Sequence, residues 1–319
     1  MAETAGVLIL SVLAPTFLLI AFGAALLRHR FISPEFLREG NRMVYWFGLP
    51  ALLFNELASA SLSVGGPAKL MVGAMLAATA AVIMLSYAGA WLLRLPASST
   101  GTFVQGAFRG NLAFVGLPII YSLPDSLKIR EVPVRTIAVM VVAPMLVLYN
   151  VVGIVVLLAS QLDVKRLSGK YLVQQIVTTP PLLATVAGLA YAATGWPWPA
   201  VLHATFDALA QLALPLALLG IGGAMVSTPF HGAWRSPLSA ALLKTVAAPA
   251  LGWWLGRWLG LGALELKLVM VLLATPTAII SYTKVVELEG SPALASGSIV
   301  FSTVLSIVAL VGILAVMPS

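Results

Sequence analysis

The chain has 319 residues, of which 60% are hydrophobic and 9% are charged, and it contains no cysteine. Soluble domains carry about 25% charged residues, so this composition excludes a water-soluble globular protein. The absence of cysteine excludes disulfides and thiolate chemistry. The net charge of +7 indicates basic loops of a membrane protein rather than a nucleic-acid surface. The sequence therefore predicts an all-α, polytopic membrane protein.

Ten apolar segments are long enough to cross a bilayer, whose hydrocarbon core of roughly 30 Å needs about 20 helical residues. We predict membrane spans over residues 6–27, 42–60, 69–93, 101–122, 134–160, 172–194, 200–225, 237–258, 266–284 and 293–316. The connections between these spans are short, and the N-terminus lacks the basic region of a removable signal.

Six residues of the first half recur in the second half at a constant distance. Pro15 and Pro50 recur as Pro180 and Pro215, 165 residues later in each case. At the same distance, Leu18, Gly23, Leu49 and Leu53 recur as Leu183, Gly188, Leu214 and Leu218. The pattern predicts an internal duplication, with residues 1–160 and 161–319 as two five-helix repeats. Because five is odd, the second repeat enters from the opposite side, and the repeats are inverted.

Basic residues predict the orientation in the membrane. The loops and span ends after the odd-numbered spans hold ten lysines and arginines, from Arg28 to Lys284, and the opposite side holds six. Basic residues favour the cytoplasmic side. We therefore expect a multi-pass protein of the plasma (inner) membrane with both termini outside.

Two spans contain residues that interrupt helices. Span four includes Gly106, Arg109, Gly110, Asn111, Gly116 and Pro118, and span nine includes Thr275, Pro276 and Thr277. Proline removes a backbone donor and glycine adds backbone freedom. We predict breaks at residues 111–118 and around Pro276, although a pair of purely structural kinks is the alternative. Interrupted helices at matching positions of two repeats indicate the substrate site of a transporter.

Four motifs carry a resemblance to a known family. Span four has Asn111, Gly116 and Pro118 in an Asn-x-x-x-x-Gly-x-Pro pattern, and span nine has a Pro-Thr-Ala…Ser-Tyr pattern from Pro276 to Tyr282. Span two contributes residues 49–54, and span seven contributes residues 214–218 with a following glycine. With these motifs the chain resembles the auxin efflux carrier family, which includes plant auxin exporters and bacterial transporters of malonate-like acids.

The resemblance implies ten helices in two inverted repeats, with broken helices four and nine crossing near the substrate. It also implies a scaffold, a moving transport domain, and organic anions as substrates. The chain departs from the family pattern at Val286, which precedes Glu287 where members often have a basic residue. The nearest basic residue in the sequence is Lys284.

The candidate substrate-binding residues all lie around the two predicted breaks: Arg109, Gly110, Asn111, Gly116, Pro118, Thr275, Pro276, Thr277, Ser281 and Tyr282. The amide of Asn111 is expected to contact substrate, or else to cap exposed backbone. Arg109 either attracts an anion or pairs with a carboxylate such as Glu56. The hydroxyls of span nine either contact substrate or satisfy backbone groups that proline leaves free.

Three further polar residues are candidates for ion coupling or support. Glu56 in span two is either a proton-coupling group or a carboxylate that reaches water. Asp207 and Gln211 share a helix face, and Asp207 either takes part in transport or lies at the interface. Lys244 in span eight snorkels to the interface, holds an anion or pairs with a carboxylate.

The expected function is a secondary transporter that moves a small organic carboxylate by alternating access, with proton linkage left open. An uncoupled channel or facilitator on the same scaffold is the alternative. Enzyme activity, a cofactor, a metal site and nucleic-acid binding are not expected, because no metal-ligand, phosphate-loop or acid–base motif is present. The expected partners are the organic anion and the lipid bilayer, and homo-oligomerisation is left open.

Overall fold

The computed structural model describes residues 2–59, 65–124, 126–160, 180–227 and 234–316. These residues are almost entirely helical. Within them, five helices are long and apolar enough to cross a membrane: Gly66–Leu92, Val134–Ser160, Ala200–Gly223, Arg235–Trp258 and Pro292–Ala315. The prediction of an all-α, multi-pass membrane protein is confirmed. The first residues of the predicted sixth span, 172–179, and the three basic residues counted at Lys165, Arg166 and Lys170 lie outside the described residues.

The first half contains seven helices and one small hairpin among the described residues. They are α1 (Ala2–Arg28), α2 (Pro34–Met43), α3 (Leu49–Ala58), α4 (Gly65–Leu92), α5 (Ala97–Phe108), α6 (Leu117–Tyr121), β1 (Lys128–Ile129), β2 (Val132–Pro133) and α7 (Val134–Ser160). The antiparallel hairpin turns at Arg130 and Glu131, both with positive φ. It is an exception to the all-α prediction that involves only four residues.

The second half continues with helices of similar length. They are α8 (Pro180–Ala193), α9 (Ala200–Ser227), α10 (Arg235–Leu242), α11 (Ala248–Trp258), α12 (Ala263–Ala274), α13 (Ile280–Glu287) and α14 (Pro292–Val316). The predicted spans four and nine are each divided: α5 and α6 belong to span four, and α12 and α13 belong to span nine. Between α12 and α13 the chain is not helical from Thr275 to Ile279.

Three π-helical turns widen the helices, and each one lies immediately before a proline. The turns are Val44–Gly48, Leu112–Gly116 and Leu243–Ala247, and each ends two residues before Pro50, Pro118 or Pro249. A proline ring clashes with the carbonyl group of the preceding turn. Widening the helix locally relieves that clash, and such π-turns occur frequently at functional sites.

Close helix packing joins the two halves through glycines. A Cβ atom on Gly23 of α1 would lie 2.2 Å from the carbonyl oxygen of Leu219 in α9. A Cβ atom on Gly188 of α8 would lie 3.1 Å from the carbonyl oxygen of Phe54 in α3. Leu219 follows Phe54 by the same 165 residues that separate the two glycines. The glycine of each half therefore packs on the same repeat position of the other half.

The other helices enclose the divided spans. Helices α4, α7, α10 and α14 pack around α5, and α12 packs against α11 and α14. The largest apolar core surrounds the divided spans and includes the fully buried side chains of Phe103, Leu112, Leu117, Ile137 and Leu272. This packing holds the interrupted backbone inside protein, which is the condition for non-helical backbone at membrane depth.

Candidate functional site

The two interruptions meet and hydrogen-bond to each other. The backbone N–H of Asn111 donates to the carbonyl oxygen of Pro276 at 2.8 Å, and the backbone N–H of Ala278 donates to the carbonyl oxygen of Arg109 at 2.9 Å. Gly110 and Thr277 lie opposite each other in this short antiparallel bridge. The crossing, defined here as residues 109–111 and 275–279, therefore replaces helical hydrogen bonds with hydrogen bonds between the two spans.

Side chains satisfy the carbonyl groups at the ends of the first half-helices. The hydroxyl of Thr275 donates to Leu272 in the last turn of α12 at 2.7 Å. The Nζ of Lys244 donates to the next carbonyl oxygen, that of Leu273. The hydroxyl of Thr277 donates to the carbonyl of Gly106 in the last turn of α5 at 2.7 Å. The last carbonyls of a helix lack intrahelical partners, so these contacts stabilise the breaks.

The starts of the second half-helices face an open cavity. The Oδ1 atom of Asn111 accepts from the backbone N–H of Phe114 at 3.3 Å and so caps this helix start. Leu112 and Ala113 line the cavity, and so do Ile279 and Ile280 at the start of α13. The N-terminus of a helix carries a partial positive charge and free N–H groups, which favour an anion.

The cavity has a volume of about 600 Å³ and lies beside the crossing. Its wall combines apolar side chains such as Trp46, Leu146 and Ile221 with polar ones. The arginine and asparagine side chains on the wall are Arg38, Asn41, Arg42, Arg109, Asn111 and Asn150. No aspartate or glutamate is among the described residues that line it. An apolar wall with three arginines suits an organic molecule that carries negative charge.

Arg109 is a buried cation on this wall with a neutral hydrogen-bond partner. Its side chain is 3% exposed, and its Nη2 donates to the Oδ1 atom of Asn150 in α7. Its Nη1 is buried without a hydrogen-bond partner in the described part of the chain. No described carboxylate lies within ion-pair distance of Arg109, so the predicted alternative of a pair with Glu56 is wrong. A buried guanidinium without a counter-ion is costly, and an anionic ligand would compensate it.

Three of the predicted binding residues, Arg109, Gly110 and Asn111, line the cavity. The other seven do not line it. Thr275 and Thr277 are buried and bonded to backbone, and the carbonyl of Pro276 holds Asn111. The backbone N–H of Thr277 also donates to the hydroxyl of Ser302 at 2.9 Å. For the two threonines the geometry favours the backbone-satisfying alternative.

The prediction that backbone from Asn111 to Pro118 is unwound is wrong beyond Asn111. Helical structure resumes at Leu112, and Gly116 and Pro118 lie within helical turns. The π-helical turn Leu112–Gly116 widens the helix in front of Pro118 and so accommodates the proline ring within a continuous helical run. A Cβ atom on Gly116 would lie 2.9 Å from the side chain of Leu272, so this glycine permits close packing.

The last two predicted binding residues lie on α13, away from the cavity. Ser281 is buried, and its hydroxyl lacks a hydrogen-bond partner among the described residues. Tyr282 packs against a small apolar cluster that includes Leu157, Val285 and Leu288. Their neighbour Thr283 does line the cavity, so the face of α13 that meets the cavity is not the one predicted.

The predicted support residues lie outside the cavity wall. Glu56 is half-buried and accepts from the hydroxyl of Thr136 at a long 3.5 Å, with Arg135 and Tyr121 as further electrostatic neighbours. Asp207 accepts from Gln211 at 2.6 Å, as their shared helix face predicts.

Lys244 does not snorkel to an interface. Its side chain is 0% exposed, and within the described residues no carboxylate is close enough to form an ion pair with it. The prediction of snorkelling is therefore wrong, and so is that of a carboxylate partner as far as the described residues are concerned. Lys244 also does not line the cavity. Its hydrogen bond is made instead to the end of α12, at the carbonyl oxygen of Leu273.

Sequence reasoning missed four arginine and asparagine residues of the cavity. Asn150 was not singled out, although an amide within an apolar span is the same signal that identified Asn111. Arg38 and Arg42 were counted only for orientation, although residues four apart share a helix face. Asn41 lies between them, and a Cβ on Gly220 would lie 2.2 Å from its Oδ1. All four residues line the cavity.

The described residues contain no group of three or more histidine, aspartate or glutamate side chains that could hold a metal ion. Crossing half-helices beside a cavity in a multi-pass protein are typical of a membrane transporter. A family model described as membrane transport protein matches residues 8–314. The chain therefore belongs to this family, the auxin efflux carrier or membrane transport protein family, as the sequence motifs indicated. A search of curated proteins gives no significant match.

Proposed function

We propose that the protein is a secondary transporter that moves a small organic carboxylate through the cavity by alternating access. The observation that carries this proposal is the environment of Arg109. A permanent cation lies on the cavity wall, pairs with the neutral amide of Asn150 and has no carboxylate partner among the described residues. A substrate carboxylate would supply the missing negative charge.

Two further features support an anionic substrate. The helix starts at Leu112 and Ile280 both lie on the wall of the same cavity, and a helix N-terminus favours an anion. Arg38 and Arg42 lie on the part of the wall formed by α2. Apolar side chains such as Trp46 and Leu146 would contact the organic part of the substrate.

The reciprocal glycine contacts support ten spans in two inverted repeats. Gly23 packs on Leu219, and Gly188 packs on Phe54 at the equivalent position of the other half. Such an exchange is expected for two repeats related by a two-fold axis in the membrane plane. In the predicted orientation the termini are outside the plasma membrane, and Arg38 and Arg42 lie on the cytoplasmic side. The cavity is then the cytoplasm-facing state of the cycle.

The test is uptake of labelled carboxylates by purified protein in liposomes, with Arg109→Gln as the main variant. We expect saturable uptake by the wild type. Because hydrogen bonds to charged groups contribute about 1.5–3 kcal/mol, Arg109→Gln should raise KM by roughly 10- to 100-fold. Arg109→Lys keeps the charge but loses the paired hydrogen-bond geometry, so its KM should lie between those of the wild type and Arg109→Gln.

The matched control is Arg257→Gln. Arg257 is an exposed arginine at the end of α11 and stacks over the ring of Trp253, away from the cavity. This variant should transport like the wild type. Absence of saturable uptake for every carboxylate, or equal uptake by the Arg109→Gln variant and the wild type, would contradict the proposal.

A further inference from the structure

Lys244 occupies an unusual position for a lysine in an apolar helix. Its side chain is fully buried in the π-helical turn Leu243–Ala247, and its Nζ donates to the carbonyl oxygen of Leu273. A Cβ atom on Gly110 would lie 2.9 Å from its Cε and 3.1 Å from its Nζ. The ammonium group therefore lies between the end of α12 and Gly110, two residues after the end of α5.

Both of these helix ends carry partial negative charge. The C-terminus of a helix is equivalent to about half a negative elementary charge, and two such ends meet at the crossing. Water screens the end of α12 poorly, because Leu273 and Thr275 are buried and neither of them lines the cavity. A buried ammonium is itself costly unless negative charge surrounds it. Within the described residues it has no carboxylate partner, so the helix ends are its compensation.

We propose that Lys244 is a built-in cation that compensates the converging C-terminal ends of α5 and α12, in the position where a bound alkali-metal or ammonium ion would otherwise be required. Removing its side chain then creates a cation site. The vacated space is bordered by the carbonyl oxygen of Leu273 and by the hydroxyl of Thr275, which lies 2.7 Å from the Cβ position on Gly110. Oxygen ligands of this kind suit small hard cations.

The experiment compares thermal unfolding of the purified full-length wild type, Lys244→Ala and Lys244→Met in detergent. Each protein is measured in sodium, methylammonium and N-methylglucamine chloride at equal ionic strength. We expect wild-type stability to be independent of the cation. Lys244→Ala should unfold several degrees lower in N-methylglucamine and regain part of the loss in sodium or methylammonium, which fit the vacated space. Lys244→Met should be destabilised without recovery, because its side chain fills the space without charge.

Lys267→Ala is the matched control, since Lys267 is a second buried lysine, on α12 and outside the crossing. Its stability should not depend on which cation is present. Wild-type stability in the Lys244→Met variant would show a packing role and overturn the proposal. A loss in Lys244→Ala that no small cation recovers would also overturn it. The measurement involves no transport, so this inference and the proposed function can fail independently.

Discussion

The backbone N–H of Asn111 donates to the carbonyl oxygen of Pro276 across 165 residues of sequence, at 2.8 Å. This hydrogen bond joins the only two points at which the described spans four and nine lose helical structure. It leaves the side chain of Asn111 at the start of the next helical turn, where its Oδ1 accepts from Phe114. The same residue therefore holds the crossing together and forms part of the cavity wall.

Gly110→Ala should destabilise the crossing. The added Cβ would lie 2.7 Å from the hydroxyl of Thr275 and 2.9 Å from the Cε of Lys244, both buried. Overpacking of this kind costs about 1–3 kcal/mol, so the unfolding temperature should fall. Gly73→Ala in α4 is the control, because nothing lies within 4 Å of its Cβ position. Equal stability of the two variants would contradict this description of the crossing.

Asn150→Asp should weaken anion transport strongly without unfolding the protein. The new carboxylate would pair with Arg109 in place of the amide oxygen that now accepts its hydrogen bond. The substrate would then meet a neutralised guanidinium, so KM should rise at least as much as in Arg109→Gln. Uptake assays and thermal unfolding measure the two effects separately. Unchanged uptake by Asn150→Asp would show that the charge of Arg109 does not serve the substrate.

Removing the charges of Arg38 and Arg42 together should weaken substrate entry. Both side chains line the cavity on α2, so the double variant to glutamine should raise KM a few-fold at low ionic strength. Salt should reduce the difference, since the Debye length falls to about 10 Å at 0.1 M. The control Arg28→Gln changes an exposed arginine at the end of α1 that does not line the cavity. A salt-independent effect would point to a packing role for α2 instead.

Glu56→Gln tests whether transport is linked to protons. Glu56 of α3 faces Thr136, Arg135 and Tyr121 of the α6–α7 region, and Asp207 is a further charged neighbour. If this carboxylate carries the coupled proton, a pH gradient should drive wild-type uptake but leave the variant unaffected. Glu131→Gln, on the exposed hairpin, should respond like the wild type. Identical responses of the Glu56 and Glu131 variants to the pH gradient would show that Glu56 does not carry a coupled proton.

The sequence was informative where local chemistry decides the structure. Glycine and proline around Asn111 and Pro276 predicted two interruptions, and both are present at residues 109–111 and 275–279. The first interruption was predicted to extend to Pro118 but ends at Asn111, because a π-helical turn accommodates that proline. The rule behind this, a π-turn directly before a proline, does not apply at Pro15, Pro144 or Pro215, which lie within regular helices.

Tertiary pairing decided the remainder. Arg109 and Asn150 are 41 residues apart, and nothing local in either span indicates that they meet. The sequence predicts an interfacial position for Lys244, because a sequence gives the depth of a residue in the membrane only approximately and does not reveal its neighbours. The residues that line the cavity from α2 depend on how that helix packs against α9, which a single sequence does not reveal.

The central claim is that a carboxylate binds beside the crossing and is carried by alternating access. Counterflow in proteoliposomes tests it most directly: vesicles loaded with unlabelled carboxylate are diluted into a trace of the labelled form. Alternating access predicts a transient, saturable accumulation of label above equilibrium, which Arg109→Gln abolishes and Arg257→Gln preserves. Label that only equilibrates, at a rate proportional to its concentration and without acceleration by internal carboxylate, would rule out alternating access and indicate a channel.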